Sequence, residues 1–385
     1  MCTKLIHFAS VILILGLAGS APAELVAHWK FDEGQGTTAS DSSGNDYHAT
    51  LFGDPVWVAG YDGGALDTTN GCYGAIQGLY YDTNPLPDTT GLTVCAWIRT
   101  ESAGGQYIIS FDRNEYYRFS INTTDAADSG QVDWDVYDDS GQIDYGSETR
   151  VDDGQWHHVA GVYDNGTMTI YIDGEAEPST TGGSTWGRWR DVRYGFIGKN
   201  SEATEFHSPV PSGNPLDGDL DELRIYHNAM SQLEIRALAG FSESYEPYPE
   251  DGAKFTDTWA NLSWTPGPYA VSHDVYFYDT FDDVNEGTES AFAGNTTNDF
   301  YTVGFPGMPF PDGLVPGTTY YWRVDDVDAS GAKIRGNVWN FWIPPVNAYD
   351  PIPGDGEAAE PIDVVLSWSP GMNAIMSNVY FGTDP

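Results

Sequence analysis

Residues Gln155–Glu177 read QWHHVAGVYDNGTMTIYIDGEAE. Three strand-like runs are separated by two tight-turn signals. His158–Tyr163 is the first run, and Asp164-Asn165-Gly166 turns the chain. Thr167–Ile172, dense in β-branched and aromatic residues, is the second, and Asp173-Gly174 turns the chain again. Asn-Gly and Asp-Gly supply the positive φ angles of two-residue hairpins. The stretch therefore predicts an antiparallel meander with one buried face.

The flanks read the same way. Leu25–Phe31 alternates as a strand and stops at Asp32-Glu33-Gly34. Val94–Ile98 is a strand, and Tyr107–Phe111 pairs with Tyr116–Ile121. Val132–Tyr137 sets Asp133 and Asp135 against Val132, Trp134 and Val136. Asp219–Tyr226 closes the domain. Ser231-Gln232-Leu233-Glu234 is a capping box, so a short helix runs to about Leu238 and Gly240 stops it.

WHHVAGVYDNGTMTIYIDGE resembles the central signature of bacterial laminin-G-like domains, whose fold is the concanavalin A-like β-sandwich. Further pieces follow in that family's order. They are LVAHWKFDEGQGTTASDSSGNDYHATLFG, GGALD, GLTVCAWIRT, FIGKN and GDLDELRIYHNAMSQLEIRAL. The resemblance implies an all-β jelly roll over residues 24–240, and a binding or adhesion module.

Residues 1–23 are expected to be a secretory signal, with Lys4, an apolar stretch Phe8–Leu17 and Ala21-Pro22-Ala23 before Glu24. No other apolar run is long enough to span a bilayer. Acidic residues number 57 against 16 basic, a formal net charge of −41. Such a chain repels nucleic acid. The acidity is that of a solubilising surface, with divalent-cation sites as the sharper reading. Aromatics at 14% and 44 glycines suit sandwiches with many turns. Cys72 and Cys95 remain after cleavage. They are read either as one disulfide or as two small buried hydrophobes.

Residues 241–247 read as a linker, and 248–344 as a second sandwich. Leu314–Val324 resembles the E–F corner of fibronectin type III domains, which implies a tyrosine-corner role for Tyr320. Leu262-Ser263-Trp264-Thr265-Pro266-Gly267 recurs as Leu366-Ser367-Trp368-Ser369-Pro370-Gly371, and Val275-Tyr276-Phe277 as Val379-Tyr380-Phe381. Residues 346–385 are thus expected to be part of a second, immunoglobulin-like fibronectin type III repeat, holding about three of its seven strands and truncated at Pro385.

Catalysis has little support. Glycosidases of concanavalin A-like fold use a Glu-x-Asp-x-x-Glu strand with two carboxylates. Asp133-Trp134-Asp135-Val136-Tyr137-Asp138 shares only the spacing, and a solvated strand face explains it better. His157 and His158 lack a third ligand at metal spacing and read as packing residues. Binding fits better. Trp186, Arg188, Trp189 and Arg190 cluster between predicted strands. They are read as a sugar-stacking and carboxylate- or sulfate-pairing group, or else as a core-edge tryptophan with neutralising arginines. Tyr80, Tyr81, Tyr116 and Tyr117 are weaker candidates.

The resemblance also implies that the first and last strands are antiparallel neighbours and carry calcium at that edge. Asp32 at the end of one and Asp221 near the start of the other are the leading ligands, with Asp41 and Asn45 from the following loop. The alternative is that these residues shape turns or face water. The expected protein is an exported, non-catalytic module that binds carbohydrate, in particular acidic polysaccharide, on a fibronectin-like stalk. Its alternatives are an adhesion protein that binds another protein, and an accessory region of an enzyme.

Overall fold

The computed structural model describes residues 24–76, 78–80, 90–111, 116–124, 128–186, 195–201, 210–357 and 363–382. The expected signal segment, Tyr81, Arg188, Trp189 and Arg190 lie outside the described residues. The chain divides into two compact units, the first ending at Ala239 and the second beginning at Gly240.

The first unit opens with β1 (Leu25–Trp29), β2 (Thr38–Ala39), β3 (Ala49–Phe52), β4 (Val56–Ala59) and β5 (Gly64–Asp67). Next come β6 (Tyr73–Ile76), β7 (Gly91–Arg99), β8 (Gln106–Phe111), β9 (Tyr117–Ile121) and β10 (Gln131–Asp138). Then follow β11 (Gly141–Arg150), β12 (Trp156–Asp164), β13 (Thr167–Ile172), β14 (Glu175–Thr181), β15 (Gly195–Ile197) and β16 (Asp219–Tyr226). Helix α1 (Gln232–Leu238) closes it.

These strands make two antiparallel sheets. One runs β14-β13-β12-β7-β16-β5-β4, with β1 also on β16; the other runs β11-β10-β9-β8-β15-β6-β3-β2. Apolar residues on facing strands, among them Val94, Ile98, Val159, Leu220, Phe119 and Trp134, form one buried core. The first unit is an all-β sandwich of the concanavalin A-like kind, as expected.

The meander forms where its turn residues demand it. Asn165 (φ 45°) and Gly166 (φ 92°) close β12 onto β13, and Asp173 (φ 51°) and Gly174 (φ 81°) close β13 onto β14. Gly161 has a packing reason. A Cβ there would lie 2.6 Å from Trp134 Cδ2, so only a bare backbone lets the indole cross β12. The alternation of β10 places Val132, Trp134 and Val136 in the core, leaving Asp133 and Asp135 on the opposite face.

Helix α1 has the expected capping box at Ser231 and Glu234. Its Ile235 packs with Cys95, Ala160, Val162 and Tyr226 on the outer face of the first sheet. Cys95 therefore lies on the outer side of β7, whereas Cys72 joins the core between the sheets. Both are buried and free, which decides against the disulfide.

The second unit contains β17 (Tyr245–Tyr248), β18 (Ala253–Lys254), β19 (Ala260–Thr265), β20 (Ser272–Tyr278), α2 (Phe281–Glu286), β21 (Phe292–Thr296) and β22 (Phe300–Val303). It continues with β23 (Thr319–Val327), β24 (Lys333–Ile334), β25 (Val338–Trp342), β26 (Tyr349–Ile352) and β27 (Ser367–Ser369). The segment read as a linker ends in β17, which pairs with β19, so it belongs to this unit. A three-stranded sheet β17-β19-β22 and a larger sheet built on β18-β25-β23-β20-β21 enclose Leu262, Trp264, Val275, Phe277, Tyr320 and Trp322. Tyr320 OH accepts a hydrogen bond from Val315 N at 2.9 Å, the bond expected of the corner.

The second repeat departs from expectation. Among its described residues only β26 and β27 form, and Val379-Tyr380-Phe381 is not a strand. The counterpart β20 pairs with β21 and β23. The described residues of 346–382 have no equivalent of those partners. Trp368 is 37% exposed where Trp264 is 4% exposed.

Candidate functional site

The expected calcium edge lies where three strands meet on β16. β1 pairs with its later half, Trp29 opposite Leu223 and Leu25 opposite Tyr226. β5 pairs with its first residues, Leu66 opposite Leu220 and Asp67 opposite Asp219. Asp221 and Glu222 fall between these two pairings. A register shift between Asp221 and Arg224 marks a bulge against β7, and Glu222 has φ 51°. Bulges re-aim side chains beside functional sites.

Asp221 and Asp32 both reach the turn that joins β4 to β5. Asp221 Oδ2 accepts from Asp62 N at 3.0 Å, and Asp32 Oδ1 accepts from Gly64 N at 2.7 Å. The turn closes through Gly60 N to Gly63 O at 3.0 Å. It needs its glycines. A Cβ at Gly60 would lie 2.6 Å from Asp221 Oδ2, and one at Gly63 would lie 2.3 Å from Asp32 Oδ1. Asp221 is fully buried, and its Oδ1 has no hydrogen-bond partner. Burial pushes its carboxyl up to about 7, and the charge of neighbouring Glu222 adds to the rise. Glu222 is itself engaged, by His28 Nε2 at 2.9 Å and by Arg224.

Asp41 and Asn45 do not join this pair. Asp41 Oδ1 accepts from His28 N and Ser43 N, and Oδ2 from Ser43 Oγ and Tyr47 N. Burial raises the Asp41 carboxyl, but these donors outweigh it and hold it below its ordinary range. Asn45 Nδ2 donates to Val26 O at 2.9 Å and Leu25 O at 3.3 Å. Both side chains pin their own loop to β1. Among the described residues no three His, Cys, Asp or Glu side chains are arranged to hold a metal. A cation at Asp221 and Asp32 would need further oxygen ligands from outside that pair. The unpartnered, buried Oδ1 of Asp221 fits such a cation. Sequence reasoning missed the turn residues Gly60–Gly64 as part of this edge, although Gly63 and Gly64 open the quoted GGALD piece.

Trp186 is not a binding platform. It is fully buried, donates Nε1 to Gly91 O at 2.9 Å, and meets Tyr80, Tyr116 and Tyr117 at ring edges 5.8 to 6.2 Å between centroids. Those tyrosines are buried with it, so the whole group is core. Arg188, Trp189 and Arg190 lie outside the described residues.

The three aspartates of β10 are buried, so the strand face read as solvated is covered. Asp133 accepts from Thr123 N at 2.6 Å, Thr124 N at 2.9 Å and Thr124 Oγ1 at 2.7 Å. Asp135 Oδ2 takes a two-nitrogen fork from Arg118 at 3.0 and 2.5 Å, with both side chains buried. Asp138 accepts from Tyr163 OH at 3.1 Å and Gly183 N at 2.5 Å.

The two histidines behave differently. His157 lies between Asp173 (2.7 Å) and Asp153 (3.1 Å), and the bond to Asp173 raises its pKa. His158 is buried edge-on to Trp97 with neither ring nitrogen bonded, and burial pushes its pKa down to about 3. Outside it, Tyr61 stacks on Trp97 with ring centroids 3.4 Å apart.

Residues 74–236 match the model of the concanavalin A-like lectin/glucanases superfamily. That span holds β6 through β16 and the start of α1. None of the curated proteins matches this sequence. Among solved structures, the chain is similar to domain 4 of AbnA, a GH43 extracellular arabinanase from Geobacillus stearothermophilus, solved with arabinotriose. Identity there is 21%, over 56% of this chain and 98% of that one, with a TM-score of 0.44. It is similar also to the binding domain of Paraclostridial Mosquitocidal Protein 1, at 13% identity over 81% of this chain and 67% of that one, TM-score 0.42. A third is the binding domain of Botulinum neurotoxin DC with rat synaptotagmin II, at 10% identity over 90% and 78%, TM-score 0.39. No helix among the described residues is long and apolar enough to cross a membrane.

Proposed function

We propose that the first unit is a non-catalytic carbohydrate-binding module of an exported protein, and that the second is a fibronectin type III-like spacer. The observation that carries the reading is the engagement of β10. Within a superfamily of lectins and glucanases, a glucanase strand needs carboxylates free to protonate a leaving group and to attack or activate water. Here Asp133 and Asp138 are taken up by threonine, or by tyrosine and backbone donors, and Asp135, held by Arg118 on Oδ2 alone, is sealed in the fold at 1% exposed, where burial pushes its carboxyl up to about 8. This favours recognition as the use of the sandwich. Calcium at Asp32 and Asp221 would be structural, joining the end of β1, the β4–β5 turn and β16.

A glycan array probed with the chain from Glu24 onward tests this reading, alongside a reducing-end assay on the bound polysaccharides. Selective retention without release of reducing ends is expected. Turnover that disappears in Asp135→Asn would overturn the non-catalytic assignment. Absence of any glycan retention would overturn the ligand class.

A further inference from the structure

The second unit has a cleft of about 400 Å³ lined by Phe281, Asn285, Arg335, Gly336, Asn337 and Val338. That volume falls in the ~300–1,000 Å³ range of small-ligand sites. Its walls are α2 and the chain between β24 and β25. Both are tied to β23. Arg323 donates Nη1 to Val284 O at 2.7 Å and Asn285 O at 2.6 Å, and forks onto Asp325 at 2.8 and 3.0 Å. Gly336 N donates to Asp325 Oδ1 at 3.1 Å, and a Cβ on Gly336 would lie 2.0 Å from Val324 O. The cleft is therefore anchored on β23.

Arg335 is the unusual lining residue. Its Nη2 donates to Asn285 O at 2.7 Å and Asn285 Oδ1 at 2.6 Å. Those bonds orient the guanidinium without neutralising it. Every other described arginine lies within an ion pair with a carboxylate: Arg99, Arg118, Arg150, Arg224, Arg236 and Arg323. In a chain of net charge −41, Arg335 alone among the described arginines lacks one. Beside it the Phe281 ring is 47% exposed and rests edge-on against Tyr321 at 5.7 Å.

We propose that this cleft binds a carboxylated sugar, a uronate unit of an acidic polysaccharide. Arg335 pairs with the carboxylate through its remaining N–H groups, Phe281 gives the apolar face of the ring a surface, and Asn337 bonds hydroxyls. Asp282, Asp283 and Glu286 are on α2 and oppose an anion. At physiological salt the Debye length of ~8 Å screens the more distant carboxylates. The site is in the second unit and stands independently of the ligand assigned to the first.

The test is calorimetric titration of the chain from Glu24 with trigalacturonate and with its methyl ester, in chelator so that no metal bridges the carboxylates. The wild type is expected to bind the acid about tenfold or more tightly than the ester, as for loss of one charge-assisted bond. Arg335→Gln is expected to reduce the acid to the level of the ester with unchanged melting, and Phe281→Ala to weaken both. Failure of the wild type to bind the acid, equal binding of the ester, or an undiminished Arg335→Gln would each overturn the proposal. Because both substitutions lie in the second unit, sugar binding by the first does not change the difference between wild type and variant.

Discussion

Asp32 and Asp221 grip two ends of one glycine turn, Asp32 through Gly64 N and Asp221 through Asp62 N. Both are carboxylates, and Asp221 is enclosed with one oxygen unpartnered. Burial and the charge of Glu222 push the Asp221 carboxyl up to about 7, and a cation bound there would hold it ionised.

Calcium is expected to raise the melting temperature. A ligand that binds only the folded state adds about 2.7 kcal/mol at a hundred times its Kd. Differential scanning calorimetry of the chain from Glu24, in chelator and in millimolar calcium, reads the gain. Asp221→Asn should abolish the gain while melting at or above the wild type in chelator, because it removes the buried charge. Identical wild-type curves in the two buffers would refute the site.

Trp186→Ala is expected to destabilise the first unit by about 3–5 kcal/mol, the usual range for emptying a buried aromatic site. The loss includes the Nε1 bond to Gly91 O. Urea unfolding measures it. A variant with wild-type stability and lost glycan binding would return Trp186 to the role of a sugar platform.

His158 predicts a loss of stability in acid. Its folded pKa of about 3 lies below the ordinary 6.5, so the native state resists a proton that the unfolded chain accepts. The contribution is complete above 6.5 and lost progressively as the pH falls towards 3. His157, raised by Asp173, has the opposite sign: its contribution is complete below 6.5 and lost as the pH rises through its folded value. Comparing wild type with His158→Leu therefore isolates the effect. The urea midpoint of the wild type should fall more steeply between pH 7 and 4.5 than that of the variant. Parallel slopes would count against it.

The sequence by itself determined whatever depends on one residue's own backbone or on neighbours a few positions away. Asn165-Gly166 and Asp173-Gly174 adopt positive φ at little cost, so both hairpins were legible before any partner was known. The capping box at Ser231 and Glu234 closes within one helical turn. The Tyr320 bond reaches back only to Val315. The period-two pattern of β10 announced which residues would enter the core.

Only the tertiary structure decided what depends on strands distant in sequence. Tyr80, Tyr116 and Tyr117 come from elements far from Trp186, and together they enclose a ring that the sequence left open between a surface anchor and a core edge. Asp41 and Asn45 were legible as oxygen-rich loop residues, but their side chains are taken up by β1, and local spacing contains no record of that competition. Asp221 lies where β1 gives way to β5 along β16, at a bulge whose register no alternation pattern specifies. The lone state of Arg335 is likewise a property of the whole packed chain: a count of charges shows how scarce arginines are, and only the fold shows which of the described ones is left without a carboxylate.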